Sequence, residues 1–383
     1  MQSNYRLQVP QNVVAGLGSI HCLGEMLEDH KAHHVTLMTD KGVLSSGMLE
    51  LVSPIVAAAG AVLQVVSDIP TEPEAGQVLR IYEEMARWQT DLILAVGGGS
   101  VMDTAKMVAV LLKNPDYAVD LTAKEAIRSP GVPTVMVPTS AGTGSEATPN
   151  SIVVLPEKKL KVGVVHPAFL PQNVILDPQL ARSLPPAVTA ATGLDAFCHC
   201  IETYISKKAC PFSRLFSLKG LELICKYLRR AYHDGQDMEA REGMLLAAFY
   251  GGVAITASST VAVHALSYPL GGSYRIPHGI SNAILLPYVM EYNMDAILPE
   301  IAPLAVAMGL PQQSGEAAGK AMVTEIFALA KELGIPESLT SFGIGEEDLA
   351  PLAQAASQVH RLLDQNPKPM PVEDILELYR KLV

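Results

Sequence analysis

Residues 92–106 have the sequence LILAVGGGSVMDTAK, a short apolar run that ends in three glycines and continues into a helical pattern. Short apolar runs of this kind are typical of buried strands, and glycines let a backbone turn sharply and approach an anion closely. The start of the following helix presents free N–H groups that would bind a phosphate. Ser100 with Asp103 three residues later also resembles a capping box for this helix. A tight strand-to-helix turn that binds nothing remains an alternative for this motif taken alone.

The same alternation of strand and helix patterns extends outward from this stretch. Apolar runs alternate with amphipathic segments, an arrangement typical of parallel strands joined by crossover helices. The apolar runs lie at residues 35–39, 62–66, 92–96 and 134–137. Residues 151–155 and 161–165 flank a turn-like segment and predict a hairpin, followed by a last strand at 173–176. After Pro178 only helical periodicity is found.

We therefore predict two domains. Residues 1–185 are expected to form an α/β dinucleotide-binding domain with a Rossmann-like parallel sheet. Residues 186–383 are expected to form an all-helical domain that holds a metal and the substrate. A chain of 383 residues with 49% hydrophobic residues is also longer than one core usually supports.

A second loop of small residues, VPTSAGTGSE at 137–146, also follows an apolar strand and could form a second wall of a nucleotide site. Neither loop contains the G-x-G-x-x-G fingerprint or a P-loop, which disfavours ATP chemistry. Asp40 ends the first strong strand, where a carboxylate could accept a ribose 2′-hydroxyl and repel a 2′-phosphate, so NAD is predicted over NADP. A helix N-cap role for Asp40 is the alternative.

Composition excludes several classes of partner. The formal net charge of -11 argues against nucleic acid and anionic membranes, which require a positive field. The sequence has no leader pattern and no apolar run of about 18 residues, so a cytoplasmic location without a membrane span is expected. The five cysteines include no C-x-x-C pair, which predicts reduced thiols and no structural zinc knuckle.

Four side chains are candidates for a metal site. Asp195 and His199 lie four residues apart in a helical pattern, so their side chains can converge, although a simple helix hydrogen bond would have the same spacing. His264, in an apolar stretch, and His278 bracket a break that contains proline and glycine. His264 fits either a ligand or a satisfied core histidine. One carboxylate and three imidazoles would leave a metal position open for substrate and could polarise a carbonyl oxygen.

Together, and in this order and spacing, these segments resemble the iron-containing alcohol dehydrogenase family over nearly the whole chain. The resemblance implies the two-domain architecture shared with dehydroquinate synthase, with the metal beside the nicotinamide in a cleft between the domains. It also implies an NAD(H)-linked, metal-dependent alcohol dehydrogenase or aldehyde reductase that acts on a small alcohol or aldehyde by hydride transfer.

The resemblance carries over to individual residues. It assigns Asp195, His199, His264 and His278 to a ferrous ion, with zinc or another divalent metal as alternatives. The residues assigned to the NAD(H) site are Asp40, Gly97, Gly98, Gly99, Ser100, Asp103, Thr139, Ser140, Thr143 and Lys161. Many family members have a histidine four residues after the third ligand; this chain has Tyr268 there, which leaves Tyr268 as an uncertain catalytic proton carrier.

Several alternatives remain at this point. Arg275, three residues before His278, could bind an anionic group of the substrate or form an ordinary salt bridge. An NAD- and metal-dependent lyase of the dehydroquinate-synthase type, or a catalytically silent nucleotide-binding protein, would share much of the pattern. A homodimer or larger homo-oligomer is expected on general grounds.

Overall fold

The computed structural model describes residues 4–158, 160–313 and 315–383. These residues form two compact units. One unit comprises residues 8–184 and 236–249, and the other comprises residues 4–7, 185–235 and 250–383.

The first unit is an α/β structure. Its strands are β1 (Asn12–Ala15), β2 (His34–Met38), β3 (Val62–Val66), β4 (Leu92–Gly97), β5 (Thr134–Pro138), β6 (Asn150–Leu155), β7 (Leu160–Val165) and β8 (Asn173–Leu176). Six of them form a parallel sheet in the order β1-β8-β5-β4-β2-β3, while β6 and β7 form a separate antiparallel hairpin. The predicted Rossmann-like parallel sheet is confirmed.

Helices cover this sheet. They are α1 (Leu23–Asp29), α2 (Lys41–Ser45), α3 (Met48–Ala58), α4 (Ala75–Met85) and α5 (Gly99–Leu111). Val35, Leu94 and Val135 of the sheet pack with Leu23 of α1 and Val52 of α3 in one apolar cluster. Every residue of α5 from Val101 onward is buried, which explains why its sequence is apolar on all sides.

Two details of this unit differ from the sequence prediction. Strand β1 was not predicted, because it has only four residues, most of them exposed, at the edge of the sheet. The predicted capping box at Ser100 and Asp103 is wrong. Helix α5 already begins at Gly99, so Gly98 is the N-cap and has no side chain that could cap the helix. Ser100 Oγ instead accepts the backbone N–H of Glu72 at 3.1 Å.

The second unit is helical. Its α-helices are α6 (Pro186–Ile205), α7 (Pro211–His233), α8 (Met238–Ala257), α9 (Ala262–Tyr274), α10 (His278–Ile297), α11 (Ile301–Ala307), α12 (Gly315–Glu332), α13 (Glu346–Ser357), α14 (His360–Leu363) and α15 (Val372–Arg380). The first part of α8 belongs to the α/β unit. No strand occurs among the described residues of this unit, as predicted.

The break between His264 and His278 lies further along the chain than its sequence indicates. Helix α9 continues through Pro269 and ends only at Tyr274. Arg275 then takes a left-handed backbone conformation (φ 54°), and Pro277 precedes α10. The chain therefore turns within three residues and places His278 at the first position of the next helix.

In the described part of the chain, no single helix is long and apolar enough to cross a membrane. Helices α8 and α9 together have the length and composition of a membrane span, but they are bent by 107° at the break between them.

Gly279 allows α10 to approach α6 closely. A Cβ atom at this position would lie 2.1 Å from the carbonyl oxygen of Ala191, which is backbone and cannot rotate away. We predict that Gly279→Ala lowers the free energy of unfolding by about 1–3 kcal/mol, the usual cost of overpacking. Chemical denaturation measures this change.

Gly271→Ala is the matched control within the same unit. Its Cβ would meet the Ile276 carbonyl oxygen at 3.7 Å, an ordinary contact, and alanine favours the helix. Equal stability losses in the two variants would contradict the proposed close approach of α6 and α10.

Candidate metal centre and cofactor turns

Helices α6, α9 and α10 bring the four predicted metal ligands together. Asp195 Oδ1 lies 3.8 Å from His199 Nε2, 3.8 Å from His264 Nε2 and 3.7 Å from His278 Nε2. The imidazole rings of His199 and His264 stack with their centroids 4.7 Å apart. The carboxylate therefore sits where one cation could be shared with all three imidazoles.

Local structure explains this convergence. Asp195 and His199 are one helical turn apart on α6, so they share a face. His264 lies in the first turn of α9, and His278 is the first residue of α10. Asp195, His199 and His264 are buried, whereas His278 is partly exposed. One side of the cluster thus remains open to a small molecule.

The electrostatics of the cluster favour positive charge. Burial alone would raise the pKa of Asp195, but the three imidazoles and a hydrogen bond from Asn282 outweigh it and hold that pKa below its usual value. Burial would likewise lower the pKa of His264, yet the carboxylates of Glu202 and Asp195 raise it. A bound cation would therefore stabilise the two buried carboxylates at this site.

Glu202, which is not among the predicted ligands, also belongs to this site. Its carboxylate is fully buried on α6, where one oxygen contacts His264 Nδ1 and the other accepts the backbone N–H of Val263 at 2.7 Å. In the neutral imidazole this contact places the proton on Nδ1 and leaves Nε2 free to bind a metal. The available sequence signal was a glutamate three residues after His199 in a largely apolar helical segment.

Asn282, one turn after His278, was also missed. Its Nδ2 lies 2.8 Å from Asp195 Oδ1, 3.3 Å from His264 Nε2 and 3.2 Å from His278 Nε2. One amide nitrogen thus faces three acceptors. Its Oδ1 is buried with no hydrogen-bond partner among the described residues. The shared amide nitrogen and the unpartnered amide oxygen both indicate that a positive charge is missing from this centre. A divalent cation would supply that charge.

The residues therefore fit a metal ion. One carboxylate oxygen and three imidazole nitrogens form a donor set that iron, zinc and related divalent metals accept. The ligand atoms of Asp195, His199 and His264 all lie within 4.8 Å of one another.

Tyr268 lies one turn after His264 on α9, and its ring centroid is 6.1 Å from that of His278. Burial raises the pKa of its hydroxyl, although Arg361 opposes this effect. The hydroxyl therefore keeps its proton at neutral pH and can donate a hydrogen bond. Arg275, the predicted anion-binding residue, is exposed at the end of α9.

The glycine turns predicted for the cofactor lie side by side in the α/β unit. Strands β4 and β5 are neighbours, and the Thr139 N–H donates to the Gly97 carbonyl at 3.0 Å. A Cβ on Gly98 would come within 3.3 Å of Ser140 Oγ, and one on Gly99 within 2.7 Å of Thr143. A side chain at Gly99 would therefore require Thr143 to move, whereas the contact at Gly98 is tight but less severe.

Asp40 follows β2, the other neighbour of β4, so it lies at the same carboxyl edge of the sheet as the two glycine turns. This edge is where ligands of open α/β sheets bind. Asp40 Oδ1 accepts the Val43 N–H at 2.9 Å as the N-cap of α2. The N-cap role considered from the sequence is therefore real, and the role toward a ribose stays a prediction.

The Asp103 carboxylate contacts other residues of the α/β unit. Its Oδ1 accepts the Ser145 hydroxyl at 2.5 Å, and its Oδ2 accepts the Ile152 N–H at 3.1 Å. The buried ammonium of Lys106 lies 3.5 Å from the same Oδ1. Asp103 thus joins α5 to the second glycine-containing loop, and its direct contact with a cofactor stays a prediction.

Glu72 links two other predicted cofactor residues. Its carboxylate pairs with Lys161 Nζ at 2.7 Å, while its backbone N–H donates to Ser100 Oγ. Glu72 takes a left-handed backbone conformation (φ 55°), which costs a non-glycine residue of order 1 kcal/mol. Nothing in its local sequence indicates this role, because both contacts are distant along the chain.

A parallel α/β unit with paired glycine turns and a helical unit with a carboxylate–imidazole centre define a class of nucleotide-binding metalloenzymes. Two family models match this chain: iron-containing alcohol dehydrogenase over residues 10–178, and the C-terminal part of the Fe-containing alcohol dehydrogenase family over residues 189–383. The chain belongs to the iron-containing alcohol dehydrogenase family.

Individual relatives span nearly the full length. Long-chain-alcohol dehydrogenase 1 of Geobacillus thermodenitrificans is 35% identical, covering 98% of this chain and 95% of the relative. The NAD-dependent methanol dehydrogenase of Bacillus methanolicus is 31% identical over 97% of this chain and 98% of the relative. The crystal structure of sulfoacetaldehyde reductase from Bifidobacterium kashiwanohense in complex with NAD+ is 28% identical, with a TM-score of 0.90, and covers 99% of this chain and 98% of that one.

The contact between Glu202 and His264 leads to a prediction about metal binding. We expect Glu202→Gln to weaken the affinity for Zn²⁺ or Co²⁺ by roughly 10–100-fold, because the ligand loses its charged partner. Competition with a chromophoric chelator measures the affinity. Glu222→Gln on α7, which removes an exposed carboxylate, is the matched control. Unchanged affinity in Glu202→Gln would exclude a role of Glu202 in metal binding.

Proposed function

We propose that this member of the iron-containing alcohol dehydrogenase family transfers a hydride between NAD(H) and a small alcohol or aldehyde. Asp195, His199, His264 and His278 hold Fe²⁺ in this proposal, with Zn²⁺ or another divalent metal as an alternative. The observation that carries it is the position of Asp195 Oδ1, within 3.8 Å of the Nε2 atoms of all three histidines.

Two findings support NAD(H) as the cofactor. A methanol dehydrogenase among the relatives is named as NAD-dependent, and a sulfoacetaldehyde reductase of the same fold was solved with NAD+. In this chain, the glycine turns and Asp40 share the carboxyl edge of a parallel sheet. The names of the relatives range from methanol to long-chain alcohols, so they do not select a substrate within the class.

Each part of the site has a distinct role in the proposed reaction. A divalent ion bound there would polarise the substrate oxygen, and the nicotinamide would carry the hydride. Glu202 holds His264 in the tautomer that a metal requires, and Asn282 orients Asp195. The Tyr268 hydroxyl keeps its proton and is our candidate donor of a hydrogen bond to the reacting molecule.

Metal removal tests the proposal. We expect chelator treatment, or His264→Ala, to abolish turnover of aldehydes with NADH, because the ligand set is broken. NADH binding, measured by fluorescence titration, should largely survive, since the glycine turns belong to the other unit. Full activity of the metal-stripped protein would contradict the proposal.

Asp40 provides a test of cofactor choice. Asp40→Asn removes the negative charge but keeps a side chain that can cap α2. We expect the ratio of kcat/KM for NADPH to that for NADH to rise by roughly tenfold, as loss of about 1.4 kcal/mol of repulsion would give. Thermal unfolding should show little change, and Asp40→Ala serves as the control that loses both charge and cap. An unchanged cofactor ratio would remove Asp40 from the ribose site.

The lyase alternative receives no support from the comparisons, because both halves of the chain match models of the alcohol dehydrogenase family. A homodimer or larger homo-oligomer and a cytoplasmic location stay predictions.

A further inference from the structure

Asn282 contacts the metal centre through only one end of its amide. The residue is fully buried on α10, one turn after His278. Its Nδ2 faces Asp195 Oδ1 at 2.8 Å, His278 Nε2 at 3.2 Å and His264 Nε2 at 3.3 Å. An amide nitrogen has two N–H bonds and cannot satisfy three acceptors at once. The oxygen of the same amide, which can accept two hydrogen bonds, has no partner among the described residues.

Another buried amide on the same helix shows how such a group is normally accommodated. Asn293 is as fully buried as Asn282, but it exchanges two hydrogen bonds with Asn366, at 2.9 and 2.8 Å. A buried amide oxygen without a partner is unfavourable, and its retention requires an explanation. Carbonyl oxygens are good ligands of divalent cations, so a cation is a suitable partner for Asn282 Oδ1.

The distances around the Asn282 amide match those between neighbouring ligands of one ion. Two ligands bound at about 2.1 Å lie roughly 3.0 Å apart when their bonds meet at right angles, and about 3.4 Å apart in a tetrahedron. The three contacts of Asn282 span 2.8 to 3.3 Å. The amide is thus closer to Asp195 than the three imidazoles are, since those lie 3.7 to 3.8 Å away. The side chain therefore already reaches a ligand position.

Charge decides which end of the amide would face a cation. The N–H bonds direct partial positive charge toward the ligand atoms, and a cation bound to those atoms would repel them. The amide oxygen carries partial negative charge and would be attracted. Rotation about the terminal side-chain bond exchanges the two atoms without moving α10, because this torsion is soft in asparagine.

We propose that Asn282 is a fifth ligand of the metal ion, through Oδ1, and that its carboxamide turns over when the ion binds. The shared ion then links Asn282 to Asp195 in place of the direct N–H···O hydrogen bond. Ions that accept six ligands would keep a position for the substrate. The inference rests on the proposed function, since it concerns the metal of that site.

This fifth ligand has a consequence for the choice of metal. Zn²⁺ favours four ligands, whereas Mn²⁺, Fe²⁺ and Co²⁺ accept larger sets that include neutral oxygens. Asn282 therefore raises the affinity for metals of the iron type relative to zinc. This effect separates a ligand from a residue that only supports Asp195, because a supporting residue would stabilise all these metals alike.

Metal affinities test the proposal without turnover. Asn282→Leu removes the amide and keeps a similar volume. We expect the ratio of the dissociation constant for Co²⁺ to that for Zn²⁺ to rise roughly tenfold, as measured by competition with a chromophoric chelator. Asn282→Asp, which keeps an oxygen at this position, should retain the wild-type preference for Co²⁺. Asn293→Leu removes a buried amide from α10 outside the centre and is the matched control.

The visible absorption of bound Co²⁺ reports the number of its ligands. Four-coordinate Co²⁺ absorbs more strongly than five- or six-coordinate Co²⁺. We therefore expect stronger absorption in Asn282→Leu than in the wild type or in Asn293→Leu. A crystal structure of the Co²⁺-loaded wild type provides a test that needs no variant. It should place an atom of the Asn282 amide about 2.2 Å from the ion.

Three outcomes overturn the inference. Equal losses of Co²⁺ and Zn²⁺ affinity in Asn282→Leu, with an unchanged Co²⁺ spectrum, would show that Asn282 acts only by holding Asp195. An amide more than about 3 Å from the ion in the loaded crystal structure would exclude a bond, and this result decides alone if Asn282→Leu does not fold. A wild type that binds neither metal would overturn the inference together with the proposed metal site. Metal binding without aldehyde reduction would instead overturn the proposed function, while the Co²⁺ measurements would still decide the role of Asn282.

Discussion

The helical unit depends on two carboxylates that are buried together. Asp195 faces three imidazoles, and Glu202, two turns later on the same helix, contacts the Nδ1 atom of His264. Isolated carboxylates at this depth would be strongly unfavourable, so each requires cationic or hydrogen-bonding partners. Satisfying both fixes the positions of α6, α9 and α10 relative to one another. The architecture of the unit and the chemistry of the centre therefore have the same origin.

Most of the fold could be predicted because its signals are local. Apolar runs marked β2 to β8, and the i, i+4 spacing of Asp195 and His199 marked one half of the metal site. Contacts between distant segments could not be read in this way. Glu202, Asn282 and Glu72 acquire their roles from helix packing or strand order, and each is an ordinary polar residue in its own stretch.

The predicted capping box is wrong, and the predicted break between His264 and His278 is present but begins later than Pro269 and Gly271 indicate. Both differences have one cause. Glycine and proline favour helix boundaries, but their effect depends on the surrounding backbone. The third glycine of the first turn is already helical, which moves Ser100 inside α5. Pro269 and Gly271 are accommodated within α9, and the chain breaks instead at the left-handed Arg275. Tertiary packing thus decided where each helix begins and ends.

The conformation of Glu72 has a consequence for how this sequence can change over time. Glycine or asparagine would suit the left-handed backbone better, but neither would reach Lys161. A substitution of either residue leaves the other without its counter-ion. The strain in the backbone of residue 72 is then no longer offset by the ion pair. Positions 72 and 161 are therefore coupled, and substitutions that preserve the site should arise there in pairs.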